Sequence, residues 1–159
     1  MAAEIAETGL VVRRQLAANA TSTAKAAADL RALKPAFVAT VARGSSDHAA
    51  LYLKHLVELK LGLACASIGP SIASLYHAPL RLEGAVAIAI SQSGRSPDIL
   101  AMQRAAKDQR ALSVAFVNDE ASPLAREANA VLPLCAGPAW TIWLSGAALR
   151  VLLHSPMDP

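Results

Sequence analysis

Hydrophobic positions are gathered in blocks along this chain. Three runs, Ala36 to Ala42, Gly84 to Ile90 and Leu112 to Val117, are almost wholly apolar and rich in Val, Ile and Ala. Runs of that length, bounded by Gly, Pro or Ser, read as strands buried on both faces of a parallel sheet. Between them the spacing changes to the helical period. Ala49, Leu53, Leu56, Val57 and Leu61 share one face of a segment that ends at Gly62, as a helix C-cap would. Ile99, Leu100, Met102 and Ala106 do the same in Pro97 to Arg110.

Shorter elements fill the gaps. Ala64 to Ile68 and Ala130 to Leu134 read as short strands, and Pro133 places the second at a sheet edge because proline has no N–H for a ladder. Ser71 to His77 reads as a short helix closed by Pro79, and Pro123 to Ala128 as a helical turn or two. Ala2 to Leu33 is helical, with Ile5, Leu10, Val12, Leu16 and Leu30 as a thin stripe among alanines and a potential break near Asn19 to Ser22. Such a helix packs across a domain or against a partner chain, and Lys34-Pro35 stops it. Strands alternating with helices predict an α/β fold, a three-layer α-β-α sandwich around a doubly wound, mainly parallel five-stranded sheet of flavodoxin-like type. The expected organisation is a helical segment over 1–35, the sheet domain over 36–138, and an atypical helix and tail over 139–159.

Composition narrows the class of protein. The chain has 159 residues, enough for one domain with a full core, and 54% hydrophobic against 17% charged residues suits a sheet covered on both faces. The net charge of +3 is scattered and aromatic residues are few, which argues against a nucleic-acid partner. No apolar run reaches membrane-spanning length, and Glu4 and Glu7 in the first turns do not fit a signal peptide, so neither a membrane partner nor export is expected and a cytoplasmic location is. Cys65 and Cys135 stand far apart among small or apolar neighbours, which favours buried thiols in a reducing compartment over a redox pair or a metal site. His55 and His77 offer no ligand spacing with them, and no metal or cofactor is expected.

The chemistry lies in two polar loops. Ser91-Gln92-Ser93-Gly94-Arg95-Ser96-Pro97 follows the central apolar run and opens a helix. Three hydroxyls, a side-chain amide and the free N–H groups of a first helical turn converge there, Gly94 permits close approach of the backbone, and the helix dipole favours negative charge. Ser96-Pro97 is by itself also a good N-cap pair. Upstream, Arg43-Gly44-Ser45-Ser46-Asp47 ends the first run in the same way. Ligands of doubly wound sheets sit at the carboxyl ends of the strands, so both loops belong to one rim, where together they are able to clasp a phosphate. Arg43 and Arg95 are accessory candidates, since a guanidinium pairs bidentately with phosphate. His48, at the start of a helix, is a further accessory candidate, although with no carboxylate fixed beside it the solvated first-turn reading is favoured, and Asp47 reads as a helix cap.

These loops resemble the SIS (sugar isomerase) domain family. Gly44-Ser45-Ser46 is similar to its Gly-(Thr/Ser)-Ser motif, and Ser91-Gln92-Ser93-Gly94-Arg95-Ser96 to its Ser-Gln-Ser-Gly-x-(Thr/Ser) loop. The resemblance runs from about Ala3 to Pro138, and within the family it points to the isomerase half of the glucosamine-6-phosphate synthases, or isomerising glutamine:fructose-6-phosphate aminotransferases, and their glutaminase-lacking relatives. It implies that Ser46, Ser91, Gln92, Ser93 and Ser96 hold the phosphate of a hexose 6-phosphate, fructose 6-phosphate or glucosamine 6-phosphate, with Gly44 and Ser45 shaping the first loop. It also implies a homodimer.

Departures from the family are informative. Arg43 and Arg95 replace a Cys and a Glu, Asp47-His48 replaces a more aromatic stretch, and there is no N-terminal Cys nucleophile to take ammonia from glutamine. In the isomerising members the Glu, His and Lys that carry the chemistry lie in a second repeat and tail, so the resemblance carries no catalytic residue onto this chain. After Ala136-Gly137-Pro138 the family pattern gives way to Ala139-Trp140 and a segment holding Trp143. A truncated or frame-shifted copy with nil or residual activity alone is therefore expected. The alternative is a non-catalytic sugar-phosphate sensor, although residues 1–33 are too short and too uncharged for the helix-turn-helix of such regulators. A nucleotide-binding Rossmann domain is disfavoured because no GxGxxG follows either strand.

Overall fold

The computed structural model describes residues 2–136, with side chains from residue 9 onward. The expected segment 139–159 lies outside the described residues. In chain order the elements are α1 (Ala2–Leu33), β1 (Val38–Ala42), α2 (Ser45–Leu61), β2 (Cys65–Ser67), α3 (Ser71–Ser74), β3 (Val86–Ser91), α4 (Pro97–Asp108), β4 (Leu112–Val117), α5 (Pro123–Glu127) and β5 (Ala130–Pro133). The five strands form one sheet in the order β2-β1-β3-β4-β5, and each neighbouring pair is parallel. The α/β architecture expected from the sequence is thus present, with β3 at its centre.

The apolar runs carry a finer pattern. Along β3, Val86, Ile88 and Ile90 enter a core with Ala49, Leu53 and Val57 of α2, together with Phe116 and Leu132. Ala87 and Ala89 face the other way, against Ile99, Met102 and Ala106 of α4 and Leu124 of α5. Successive strand residues point to opposite faces, so the large residues serve one layer and the alanines the other. Small side chains on that second face let α4 pack close to the sheet. Burying residues such as Phe116, Leu53 and Met102, each under 2% exposed, stabilises the fold by about 1.5–3 kcal/mol apiece.

Element ends differ from expectation where local backbone geometry intervenes. β3 runs through Ser91, which pairs with Val117, so this serine is a strand residue rather than a loop residue. α3 stops at Ser74, short of His77, and Leu75, Tyr76 and His77 are exposed. α4 stops at Asp108, and Arg110 adopts a positive φ of 61°. The cap of α2 is Gly44 rather than Asp47, which lies inside the first turn. Gly62, at φ 63°, ends α2 in the left-handed conformation that its position after Leu61 predicted.

α1 departs furthest from its sequence reading. It is an unbroken helix of 32 residues, about 48 Å long at 1.5 Å per residue. Of the expected stripe, Leu10 is exposed and Val12, Leu16 and Leu30 are half-buried, while Ile5 lies outside the described side chains. The fully buried face is instead Val11, Gln15, Asn19, Thr23, Ala26 and Ala27. The reason lies in the sheet. β5 is an edge strand, and the Pro133 carbonyl accepts hydrogen bonds from Asn19 Nδ2 at 2.7 Å and Gln15 Nε2 at 3.4 Å. Residues four apart share a helix face, so the two amides cover the open edge together. Asn19 is a packing residue inside the helix rather than the start of a break.

Candidate functional site

The strand order reverses between β1 and β3: the chain moves outward from β1 to β2, then returns to add β3 on the other side. At such a switch point the loops leaving two adjacent strands diverge to opposite faces and open a crevice at their carboxyl ends. Ala42 of β1 stands opposite Ile90 of β3 in the parallel register. The next residues of each strand are therefore side by side, and they open the two polar loops identified above.

The first loop turns sharply at Gly44, with φ 59° and ψ −132°, a region in which a Cβ is strained. No side chain caps α2, and the Asp47 N–H returns to the Gly44 carbonyl at 3.1 Å. Ser46 is buried, whereas Arg43, Gly44, Ser45 and His48 are exposed.

The second loop is held from within. Gly94 N–H donates to Ser91 Oγ at 3.1 Å, and Arg95 N–H donates to Ser93 Oγ at 3.3 Å. The Gln92 carbonyl accepts from Asn118 N–H at 3.1 Å, which fastens the loop to the end of β4. Ser91 is buried, Gln92 and Ser96 are half-buried, and Ser93 is exposed. Ser96 occupies the N-cap of α4 with its side chain making no cap hydrogen bond, and Pro97 follows as the first helical residue. Its hydroxyl therefore remains available to a ligand at the helix start. Gly94 has φ 61° and packs against α5, whose Leu124 N–H donates to its carbonyl at 3.2 Å.

Both arginines flank these loops, and each is paired with a carboxylate. Arg43 Nη1 lies 2.7 Å from Asp98 Oδ2, joining the first loop to the first turn of α4. Arg95 Nη2 lies 2.7 Å from Asp119 Oδ2, joining the second loop to the β4–α5 connection. The Arg95 hydrogen bond, helped by the Ala121 N–H, holds the Asp119 carboxyl below its ordinary range. The partners Asp98 and Asp119, and Ser122 beneath Gly94, escaped the sequence reading. No local pattern reveals the pairing of Arg43 with Asp98 across 55 residues.

The register brings the two loops and the N-termini of α2 and α4 to neighbouring positions at the carboxyl ends of β1 and β3, a setting that favours negative charge. A separate groove of about 390 Å³ lies between α1 and β5, lined by Ala18, Ser22, Lys25, Glu120, Asn129 and Pro133. It is at the sheet edge, and Lys25 is already paired with Asp29 at 3.1 Å. Among the described residues no group of His, Cys, Asp and Glu is arranged to hold a metal ion, and no helix is long and apolar enough to cross a membrane.

Residues 36–155 match the model of the SIS domain. A glutamine–fructose-6-phosphate aminotransferase (isomerising) of Symbiobacterium thermophilum is 37% identical over 135 residues, covering 84% of this chain and 20% of the relative. A solved structure assigned as a phosphosugar isomerase, from Silicibacter pomeroyi DSS-3, superposes with a TM-score of 0.83 at 48% identity, covering 94% of this chain and 46% of that one. The C-terminal domain of a glucosamine-fructose-6-phosphate aminotransferase from Francisella tularensis shares the fold, with a TM-score of 0.79 at 24% identity over 94% of this chain and 45% of its own. This chain thus spans about a fifth of the curated aminotransferase and about half of the Silicibacter protein.

Proposed function

The chain belongs to the SIS domain family, and from that premise we propose that it binds the phosphate of a hexose 6-phosphate in the crevice between β1 and β3. Ser46, Ser91, Gln92, Ser93 and Ser96 are the ligands in this reading, and Gly44 and Ser45 shape the first loop. The observation that carries it is the register of Ala42 against Ile90 at the strand-order reversal, which sets the two serine loops side by side. A dianion between them meets hydroxyl donors and the positive ends of α2 and α4, and charge-assisted hydrogen bonds of this kind are about twice as strong as neutral ones.

The role assigned to this chain is anchoring a sugar phosphate of the isomerising aminotransferase or deaminase class. Moving a proton between C1 and C2 needs a base poised near the working pH. Asp98 and Asp119, which border the crevice, are held by arginines, and for Asp119 that contact depresses the carboxyl's basicity. Neither is suited to that task. Arg43, Arg95 and His48 border the crevice without being assigned as ligands. A cytoplasmic homodimer is the proposed setting.

Thermal melts with fructose 6-phosphate, glucosamine 6-phosphate and unphosphorylated fructose test the reading. A hexose 6-phosphate at a hundred times its Kd stabilises by about 2.7 kcal/mol. At about 2–4 °C per kcal/mol the Tm should rise by about 5–10 °C, with no rise for fructose. Equal shifts for sugar and sugar phosphate would contradict it.

A further inference from the structure

We infer that Arg43 is a positioning residue that neutralises Asp98 and thereby keeps the crevice between β1 and β3 open to a dianion. The inference rests on the reading of that crevice as a phosphate site. Asp98 is the second residue of α4, directly after Ser96 and Pro97, and its side chain is only 17% exposed. A carboxylate there is favoured by the helix dipole, but it stands at the same helix start that is to receive the phosphate. Like charges in a crevice partly withdrawn from water repel strongly, because solvent and salt screen them less than at an open surface.

Arg43 removes that conflict. It leaves the end of β1, on the opposite side of the crevice, and its guanidinium reaches Asp98 Oδ2 at 2.7 Å. The pair is neutral overall and ties the first loop to the helix that opens the second. Asp98 also accepts from Ile99 N–H at 3.1 Å through Oδ1, so both its oxygens are engaged. Arg95 cannot substitute, since its guanidinium is held by Asp119 on the other flank of the serine loop. Arg43 thus acts on the ligand through Asp98, which sets it apart from a direct phosphate ligand.

Calorimetric titration of fructose 6-phosphate into the full chain separates these roles. Arg43→Ala should bind about tenfold more weakly, about 1.4 kcal/mol. Arg43→Lys, which restores the charge, should bind within about threefold of the unaltered chain, and Asp98→Asn should bind no more weakly than it. The decisive variant is Arg43→Ala with Asp98→Asn, in which the uncompensated carboxylate is gone; its affinity should return to within about threefold of the unaltered chain. A double variant as weak as Arg43→Ala would overturn the inference and make Arg43 a direct ligand; unchanged binding by Arg43→Ala would overturn it as well, by leaving Arg43 no part in binding. Should Arg43→Ala fail to fold in a thermal melt, Asp98→Asn decides: a loss of about tenfold there overturns the proposal. Failure of the unaltered chain to bind overturns the phosphate reading itself, and this inference with it, whereas binding without coupling overturns the inference alone.

Discussion

Replacing Gly94 by alanine should destabilise this protein through two separable effects. Gly94 has φ 61°, where an L-residue costs about 1–2 kcal/mol. A Cβ at that position would lie 2.2 Å from Ser122 Oγ, 2.6 Å from Ser122 Cβ and 3.4 Å from Leu124 Cβ. Ser122 is fully buried and caps α5 by accepting from Ala125 N–H at 3.3 Å, so it has little room to yield. Forcing a methyl into such a contact costs about 1–3 kcal/mol. The sum is about 2–5 kcal/mol, a fall in Tm of about 4–20 °C for a chain of this size. Calorimetric melting measures it, and a double variant divides it. Ser122→Gly removes the clashing atoms while replacing one tolerated N-cap by another, at only a few tenths of a kcal/mol. Combined with Gly94→Ala, it should recover the overpacking share, about 1–3 kcal/mol. A Gly94→Ala protein that melts within about 2 °C of the original, or strict additivity of the two substitutions, would refute the close packing of the serine loop on α5.

Two further outcomes follow from the titratable groups. Burial pushes the Cys65 thiol up, so with Cys135→Ser leaving it as the sole thiol, a disulfide reagent at pH 7 should react only as the protein unfolds; stoichiometric labelling of the folded protein within minutes would contradict its placement. The Arg104 hydrogen bond, at 2.8 and 2.6 Å to its two oxygens, holds the Glu127 carboxyl below its ordinary value. A depressed folded pKa contributes stability above the unfolded value, about 4.3, that is lost as pH falls through the folded one. Glu127→Gln should therefore melt slightly below the original at pH 7 and converge with it in acid, and a constant gap across that range would contradict the pairing.

Much of the sheet was legible because its signal is local. In β1, β3 and β4 the apolar runs leave no alternative to a doubly covered strand, and Pro133 marked the edge through its missing N–H. The serine loops were legible too, since each follows a strand and opens a helix. What could not be read is what depends on contacts distant in the chain. The buried face of α1 is partly polar because Gln15 and Asn19 meet the Pro133 carbonyl more than a hundred residues away, which no hydrophobic pattern reports. Likewise Arg43 and Arg95 gave no sign of their partners Asp98 and Asp119, so they read as free cations beside an anion site when both are committed to carboxylates.

The most direct test of the central claim is a crystal structure of the chain grown with fructose 6-phosphate. The phosphate should lie between the two loops, within hydrogen-bond reach of Ser46 and of the hydroxyls of the Ser91 to Ser96 stretch. A phosphate seated instead in the groove between α1 and β5, beside Lys25 and Ser22, or a crevice that stays unoccupied at saturating ligand, would contradict the claim.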